Sequence, residues 1–459
     1  MPGPIKIIDI ELSQQIQDIE GLNGYTKLQV LIRLHHTPIG YITIPVYGDR
    51  CPANVIAKEI LDQHSWKIMC ELVYNGLENP MPPEGFRIDE LLKMKPRKYE
   101  GAKPLVTIAV CTRDRTDDLA LCLDSLKNLD YPTLEILVID NASTSDSTKE
   151  LVTTSFPNMR YVVETRPGLD WARNRAILEA QGEIIAYTDD DVVVDSHWVS
   201  ALAQIFIEND DVMAVTGLVV PYELETEAQI LFEMYGGFGR GFERKWYRRD
   251  ENIKISSHYI GSGAYGTGAN MAFRRSLFEK IGEFDPALDV GTVSNGGGDL
   301  DMFFRVIQEG HTLVYEPGAI VRHRHRREYK KLREQITNNG IALHAHFVRN
   351  AINYPRELSR IVRFGIWWLC YWNIRRLLIS FTRPASFPRD LILAEFYGSF
   401  KGLFRYHKAR HMAAKIEQNC CQIKPAKETN QDTQKQMSVK NEENKVQFEE
   451  NPPTSEVIK

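Results

Sequence analysis

Between residues 103 and 220 short apolar runs alternate with amphipathic segments, and this alternation restricts the fold more than any other feature of the chain. Leu105–Cys111, Glu135–Ile139, Arg160–Val163, Glu183–Tyr187 and Val212–Val220 are strand-like. Between them lie helix-like segments such as Asp118–Leu129 (DLALCLDSLKNL) and Trp171–Ala180. Strands separated by helices in this way form a mostly parallel α/β sheet. Ligands of such sheets bind beyond the carboxyl ends of the strands. The polar residues just after each apolar run therefore carry the functional information.

The pattern differs on either side. Residues 1–100 hold two strand-like runs, Leu28–Leu34 and Gly40–Val46, separated by a turn-like HHTP. A helix near Ala53–Leu72, a Pro-rich link at Asn79–Pro83 and a basic link at Lys93–Lys98 come next, so a small α+β module is expected there. Residues 101–327 form the α/β domain and 328–421 read as a helical extension. Residues 422–459 are polar, with Phe448 as their only aromatic. They bury too little apolar surface to offset ordering entropy, which predicts a disordered tail.

Composition excludes some classes. A formal net charge of -5 gives no general attraction to nucleic acid. The cysteines are scattered without CxxC or zinc spacing and read as reduced thiols. The amino terminus, MPGPIKIIDIELSQQ, lacks a basic segment followed by an apolar core, so no signal peptide is expected. Phe364–Ile374 (FGIWWLCYWNI) is the most apolar stretch; it is too short to span a bilayer and ends at Arg375–Arg376. It suits either a membrane interface or a helix packed on the body. The expected location is the cytoplasm, with peripheral contact at the inner face of the membrane through 361–381.

The strand ends carry the chemistry. Glu183–Tyr187 runs into Thr188-Asp189-Asp190-Asp191, three adjacent carboxylates that repel one another unless solvent or a cation screens them. Oxygen ligands of this kind suit Mg²⁺ or Mn²⁺. A solvated acidic turn is the plainer alternative. Other strands end in Thr112-Arg113-Asp114-Arg115, Asp140-Asn141-Ala142-Ser143 and Glu164-Thr165-Arg166-Pro167-Gly168. Arginines there can meet phosphate, and a carboxylate such as Asp140 can accept a base N–H. Asp140-Asn141 taken alone is equally a turn and helix cap.

Downstream, Gly266–Arg275 (GTGANMAFRR) has small residues that allow close approach to a ligand. The Gly-rich run Gly291–Gly298 leads into an amphipathic helix with Leu300, Phe303, Phe304 and Ile307 on one face. Asp299 falls in its first turn, where the helix dipole favours the ionised carboxylate that a general base requires. A simple helix cap is the alternative there, and Asp301 is the next candidate base. In AIVRHRHRR, alternation puts Val321, His323 and His325 on one face, where a neutral imidazole could complete a metal site.

The order of these motifs resembles family 2 glycosyltransferases of the GT-A fold. The matching sequence is VTIAVCTRDR, EILVIDNAST, RPGLDWARNRA, YTDDDVVVD, GTGANMAFRR, GEFD, GGGDLDMFFR and AIVRHRH, over about 104 to 327. The resemblance implies a Rossmann-like catalytic domain and inverting transfer from a nucleotide-diphosphate sugar to an acceptor hydroxyl, in polysaccharide or glycoconjugate biosynthesis. It implies that Asp140 contacts the donor base, that Asp189 lies by ribose and metal, and that Asp191 is the main metal carboxylate. His323 would complete the metal site and Asp299 would be the base. Thr112, Arg113, Asp114, Asp190 and Arg166 would hold the donor. The cofactor is expected to be Mn²⁺ or Mg²⁺ and the favoured donor a UDP-sugar. Glycan, lipid-linked and protein acceptors all remain open. The family often has Glu-Asp where this chain has Gly298-Asp299.

Other readings are weaker. Gly261–Gly266 (GSGAYG) matches GxGxxG, but the TGANMAFRR beyond it does not open a phosphate-binding helix. A sugar-nucleotide nucleotidyltransferase would carry a Gly-rich loop where this chain has CTRDR. A non-catalytic donor-binding scaffold on the same fold leaves retention of the acidic triplet, Asp299 and His323 unexplained.

Overall fold

The computed structural model describes residues 3–78, 101–249, 258–382 and 387–423. The Pro-rich and basic links expected between 79 and 98, and the tail from 424 onward, lie outside the described residues.

At the amino end, β1 (Ile5–Glu11), β2 (Lys27–Leu34) and β3 (Thr37–Pro45) form a three-stranded sheet, with β1 parallel and β3 antiparallel to β2. Helix α1 (Ala53–Glu78) covers it, and Ile56, Ile60 and Leu72 join the core of Leu28, Val30 and Ile32. Polar contacts seat this module on the rest of the chain. The buried Arg33 guanidinium donates to both Asp195 oxygens at 2.7 and 3.0 Å. Arg322 donates to Asp9.

The apolar runs of the central region all become strands of one nine-stranded sheet. Its members are β4 (Val106–Thr112), β5 (Leu134–Asn141), β6 (Arg160–Glu164), β7 (Ile184–Asp189), β8 (Val192–Val194), β9 (Val212–Pro221), β10 (Lys245–Tyr247), β11 (Asn270–Arg274) and β12 (Thr312–His323). The order is β8-β12-β9-β11-β7-β4-β5-β6, with β10 also paired to β12. Strands β4, β5, β6 and β7 run parallel to one another. Antiparallel β11 sits between β7 and β9, and β9 is again parallel to β12. The carboxyl ends of β4, β5, β6, β7, β9 and β12 therefore open on one edge. This is the mostly parallel α/β class expected from the sequence.

Helices cover both faces, so β9 is buried along its whole length, as a central strand of a doubly covered sheet must be. One face holds α2 (Thr116–Leu126), α3 (Ser147–Ser155) and α5 (Trp198–Glu208); the other holds α4 (Leu169–Glu179) and α7 (Gly298–Gln308). Helix α6 (Glu227–Tyr235) packs instead on the C-terminal helical layer.

That layer comprises α8 (Tyr329–Asn353), a long helix α9 made of Leu358–Trp367, Trp368–Ile374 and Arg375–Thr382, then α10 (Arg389–Gly402) and α11 (Tyr406–Ile423). The middle piece of α9 is a π-helical turn. Gly340 and Gly398 let α8 and α10 cross closely; a side chain at Gly340 would meet the backbone of Glu395 and Ser399. Among the described residues no helix is long and apolar enough to cross a membrane.

Two boundaries differ from the sequence reading. Strand β7 continues through Thr188 and Asp189, because those residues pair with Asn270 of β11 and Cys111 of β4. The VVV after the acidic triplet is a short strand paired antiparallel with the end of β12.

Candidate active site

The geometry begins in the turn from β7 to β8, because β8 pairs with the end of β12. Register pairs Val192 with His323, so the loop Asp190–Asp191 turns directly against the end of β12. Ligand atoms of Asp189, Asp191 and His323 all lie within 4.8 Å of one another. His323 Nε2 is 3.3 Å from Asp191 Oδ1. The middle carboxylate faces elsewhere: Asp190 accepts from Thr112 Oγ1 at 2.8 Å and from Arg115 at 2.9 Å. The triplet thus divides into two carboxylates that converge with an imidazole and one that fastens the β4 loop.

Electrostatics separate the three further. Burial raises Asp190 to about 6, with Arg115 beside it pulling the other way. Burial also raises Asp189, and the nearby Asp191 and Asp299 add to this. Burial works against the Asp191 carboxylate too, but His323 and Arg115 overcome it and hold Asp191 below the usual carboxylate range. Burial disfavours the His323 imidazolium, yet Asp191 outweighs it and raises that pKa. Two carboxylates and one imidazole with converging ligand atoms fit a small divalent cation such as Mn²⁺ or Mg²⁺.

A cleft of about 410 Å³ opens over this cluster. Thr112, Arg113, Asp189, Asp190, Asp191 and His323 line it, together with Cys111, Arg115, Asn141, Gly168, Leu169, Arg326 and Phe238. Of the sequence-predicted residues, Asp114, Asp140, Arg166 and Asp299 are not in the lining. Asp114 accepts the Thr144 N–H at 2.8 Å and ties two strand-end loops together. Asp140 is buried and accepts from Ser143 and, at 2.6 Å, from the Tyr161 hydroxyl. Arg166 makes a two-pronged contact with Glu164 at 2.9 and 2.8 Å and stacks over Trp171.

Asp299 sits in the first turn of α7, whose N-cap is Gly297 at φ 107°, a left-handed backbone that glycine adopts without strain. Asp299 is therefore not the helix cap. Its carboxylate accepts the N–H of Gly268 at 2.8 Å and of Leu300 at 2.9 Å, which fixes it beside the Gly-rich GTGAN turn. Asp301, the alternative base, is fully buried and held by Arg305 at 2.8 Å and Arg349 at 2.9 Å. That double pairing rules Asp301 out, because neither oxygen is open to an acceptor.

Two features were not read from the sequence. Arg173 on α4 is buried between carboxylates, 3.1 Å from Asp170 and 3.9 Å from Asp189. A side chain at Gly268 would meet its guanidinium, so Arg173 reaches the turn that holds Asp299. Asp170 in turn lies against Gly298, where any side chain would collide with its carboxylate. The absence of a carboxylate at 298 thus accompanies a buried carboxylate at 170. Both residues stand in the DWARNRA motif, and only the sheet order reveals what that motif faces.

Residues 107–282 match the model of glycosyl transferase family 2. This segment belongs to that family. A polypeptide N-acetylgalactosaminyltransferase 5 of Caenorhabditis elegans is 25% identical over 253 residues, 51% of this chain and 40% of that protein. A glucosyl-dolichyl phosphate glucuronosyltransferase of Haloferax volcanii is 22% identical over 227 residues, 48% of this chain and 69% of that protein. The chain thus spans less than half of the first relative's length. Among solved structures, the mannosyltransferase PcManGT of Pyrobaculum calidifontis with GDP-Man and Mn²⁺ superposes with a TM-score of 0.42 at 17% identity, over 76% of this chain and 92% of that one.

Proposed function

We propose that this protein is an inverting, metal-dependent glycosyltransferase that moves a sugar from a nucleoside diphosphate, with a UDP-sugar as the favoured donor, to an acceptor hydroxyl. The convergence of Asp189, Asp191 and His323 in one cleft, with Asp299 close by, carries the reading. These three residues would hold Mn²⁺ or Mg²⁺, which when bound supplies charge stabilisation for the departing diphosphate. Thr112 and Arg113 line the donor side of the cleft. Asp114 acts by holding the loop that carries them, while Asp140 and Arg166 are assigned to the donor only through the family pattern.

The acceptor oxygen attacks the anomeric carbon opposite the leaving group, and its proton passes to Asp299. The bond from the anomeric carbon to the diphosphate oxygen breaks, and the electron pair leaves with the nucleotide. Single displacement inverts the centre without a covalent sugar-enzyme intermediate. Arg173, between Asp189 and the Gly268 turn, keeps these carboxylates apart electrostatically and positions the base.

The reading extends to the domain plan of residues 1–100, 101–327 and 328–421, and to peripheral membrane contact through 361–381. The experiment is a screen of nucleotide sugars for hydrolysis by the full chain, with and without Mn²⁺. Metal-dependent release of a nucleoside diphosphate from one or more donors is expected. No hydrolysis of any donor in the presence of metal would overturn the reading and favour the scaffold alternative. Release of pyrophosphate from a sugar phosphate and a nucleoside triphosphate would favour the nucleotidyltransferase.

A further inference from the structure

Alternation at the end of β12 puts two histidines on one face, and the cation site uses only His323. His325 is just as enclosed, at 5% exposed. Phe232 of α6 meets its ring edge to face with centroids 4.7 Å apart, and Phe238 does so at 5.9 Å. Phe238 also stands edge-on to His323 at 4.9 Å. Inside this aromatic setting both nitrogens of His325 have polar partners. Its Nδ1 is 3.1 Å from Nδ1 of His323, and its Nε2 is 2.9 Å from Oε1 of Glu233, which lies in the last turn of α6. Burial lowers the His325 pKa, against the pull of Glu233 and with His323 adding to it, so the ring is held neutral.

Proton positions follow from the chemistry of the three groups. An imidazole that ligates through Nε2 keeps the lone pair of that atom free, so its single proton is on Nδ1. Nε2 of His323 is the nitrogen that faces Asp191, at 3.3 Å, and its Nδ1 faces His325. Nδ1 of His325 then accepts from His323, which leaves the His325 proton on Nε2. That N–H donates to the Glu233 carboxylate, an acceptor only. This one arrangement of protons satisfies all three groups, and it is the arrangement that leaves His323 Nε2 open to a cation. Among the described residues no lysine or arginine forms an ion pair with Glu233, so its carboxylate is left to His325. The turn after α6 fits closely around it, since a side chain at Gly237 would meet that carboxylate.

We infer that His325 and Glu233 are positioning residues for the cation site: a hydrogen-bonded chain from Glu233 through His325 to His323 fixes the tautomer and the orientation of His323, so that its Nε2 is presented beside Asp189 and Asp191. The inference rests on the reading of those three residues as a divalent-cation site. A packing role would need an aromatic ring at 325 but neither of its nitrogens. Without Nδ1 of His325, the N–H of His323 is buried with no partner. The tautomer with its proton on Nε2 then competes, and that proton occupies the lone pair the cation needs. The chain also ties the site to α6, which leads through Gly236 and Gly237 into Phe238 on the wall of the cleft.

Mn²⁺ binding to the full chain tests this without turnover. It is read from the loss of the free-ion electron paramagnetic resonance signal, with the metal alone and with UDP or GDP added. His325→Phe keeps a ring between Phe232 and Phe238 and removes both nitrogens. It should raise the Mn²⁺ Kd about 10–100-fold while the melting temperature of the metal-free protein stays unchanged. Glu233→Ala should weaken binding in the same direction. Glu233→Gln, whose amide oxygen still accepts from His325, should recover part of that loss. A folded His325→Phe with wild-type Mn²⁺ affinity, wild-type affinity in Glu233→Ala, or equal losses in Glu233→Ala and Glu233→Gln would overturn the inference. Should His325→Phe not fold, the two Glu233 variants decide, because that side chain is partly exposed. His323→Ala and Asp191→Asn score the cation site itself. If neither changes Mn²⁺ binding, the cation reading fails and the inference with it. If both lose binding while His325→Phe and Glu233→Ala keep it, only the inference fails.

Discussion

Asp299→Asn separates chemistry from binding at this site. The carboxylate accepts two backbone N–H groups, from Gly268 at 2.8 Å and Leu300 at 2.9 Å. Asparagine keeps one acceptor oxygen and turns a donor toward the second N–H. One charge-assisted bond is lost, about 1.5–3 kcal/mol. Part of this is returned, because Asp299 also repels Asp170 and Asp189, both of which it raises. Domains are stable by about 5–15 kcal/mol, so the variant should fold. Its amide cannot take the acceptor proton. General-base catalysis is worth about 10²–10⁴-fold, or roughly 3–5 kcal/mol of barrier, so transfer should fall by that factor. Donor affinity should stay within a few-fold, since Asp299 does not line the donor cleft. Calorimetric donor binding paired with transfer kinetics on both proteins is the assay. Turnover near the wild-type rate would refute the assignment, and Asp301 would not inherit it, being locked between Arg305 and Arg349.

Other perturbations probe other parts. Chelation should abolish turnover and Mn²⁺ or Mg²⁺ should restore it, while Asp191→Asn should also weaken metal-dependent donor binding in calorimetry; full activity in metal-stripped protein would sink the cation site. Arg33→Ala removes the main partner of the buried Asp195, and because Arg322 stays 3.7 Å away the cost should be at or below the low end of about 3–5 kcal/mol; the melting temperature should drop and Arg33→Ala/Asp195→Ala should regain part of it. Burial, with Arg349 adding to it, lowers His346 to about 3 from 6.5. The fold thus favours the neutral ring, and this stability is complete above about pH 6.5 and lost as pH falls toward 3. At pH 5 the loss is about 2 kcal/mol. His346→Gln should therefore show a pH 8 to pH 5 stability difference smaller by about that amount in denaturant titrations; an identical difference in both proteins would contradict the argument.

The strands of the central sheet were legible because both faces are covered, which makes each one a nearly unbroken apolar run. The acidic triplet was legible as a cluster, since three adjacent carboxylates at the end of an apolar strand repel one another unless solvent or a cation screens them. Its internal division was not. Whether Asp190 or Asp191 turns to His323 depends on β8 pairing with β12, a contact between residues more than a hundred positions apart. The same limit applies to Asp140, whose partner Tyr161 lies on β6, which neighbours β5 only through the sheet order. Arg166 instead pairs with Glu164 two residues before it, a local contact. Arg173 stood in plain view within DWARNRA, but nothing local says that its helix points it at Asp189.

The C-terminal helix shows a different case, where the apolar window and the helix differ in extent. The window over Phe364–Ile374 ends at Arg375 and Arg376, and the sequence suits either a membrane interface or a helix packed on the body. The apolar stripe of α9 runs from Leu358 to Phe381, about twice as far, at spacings of three and four residues until the π-helical turn shifts the phase. A fixed helical period across that turn scatters Ile374, Leu378 and Phe381 away from Leu358, Val362 and Ile366. With the turn included they fall on one side, and Arg376 swings inward to Glu395. The arginine pair that interrupts the apolar window thus serves both sides of one amphipathic helix: Arg375 is exposed beside the stripe, and Arg376 pairs with the buried Glu395.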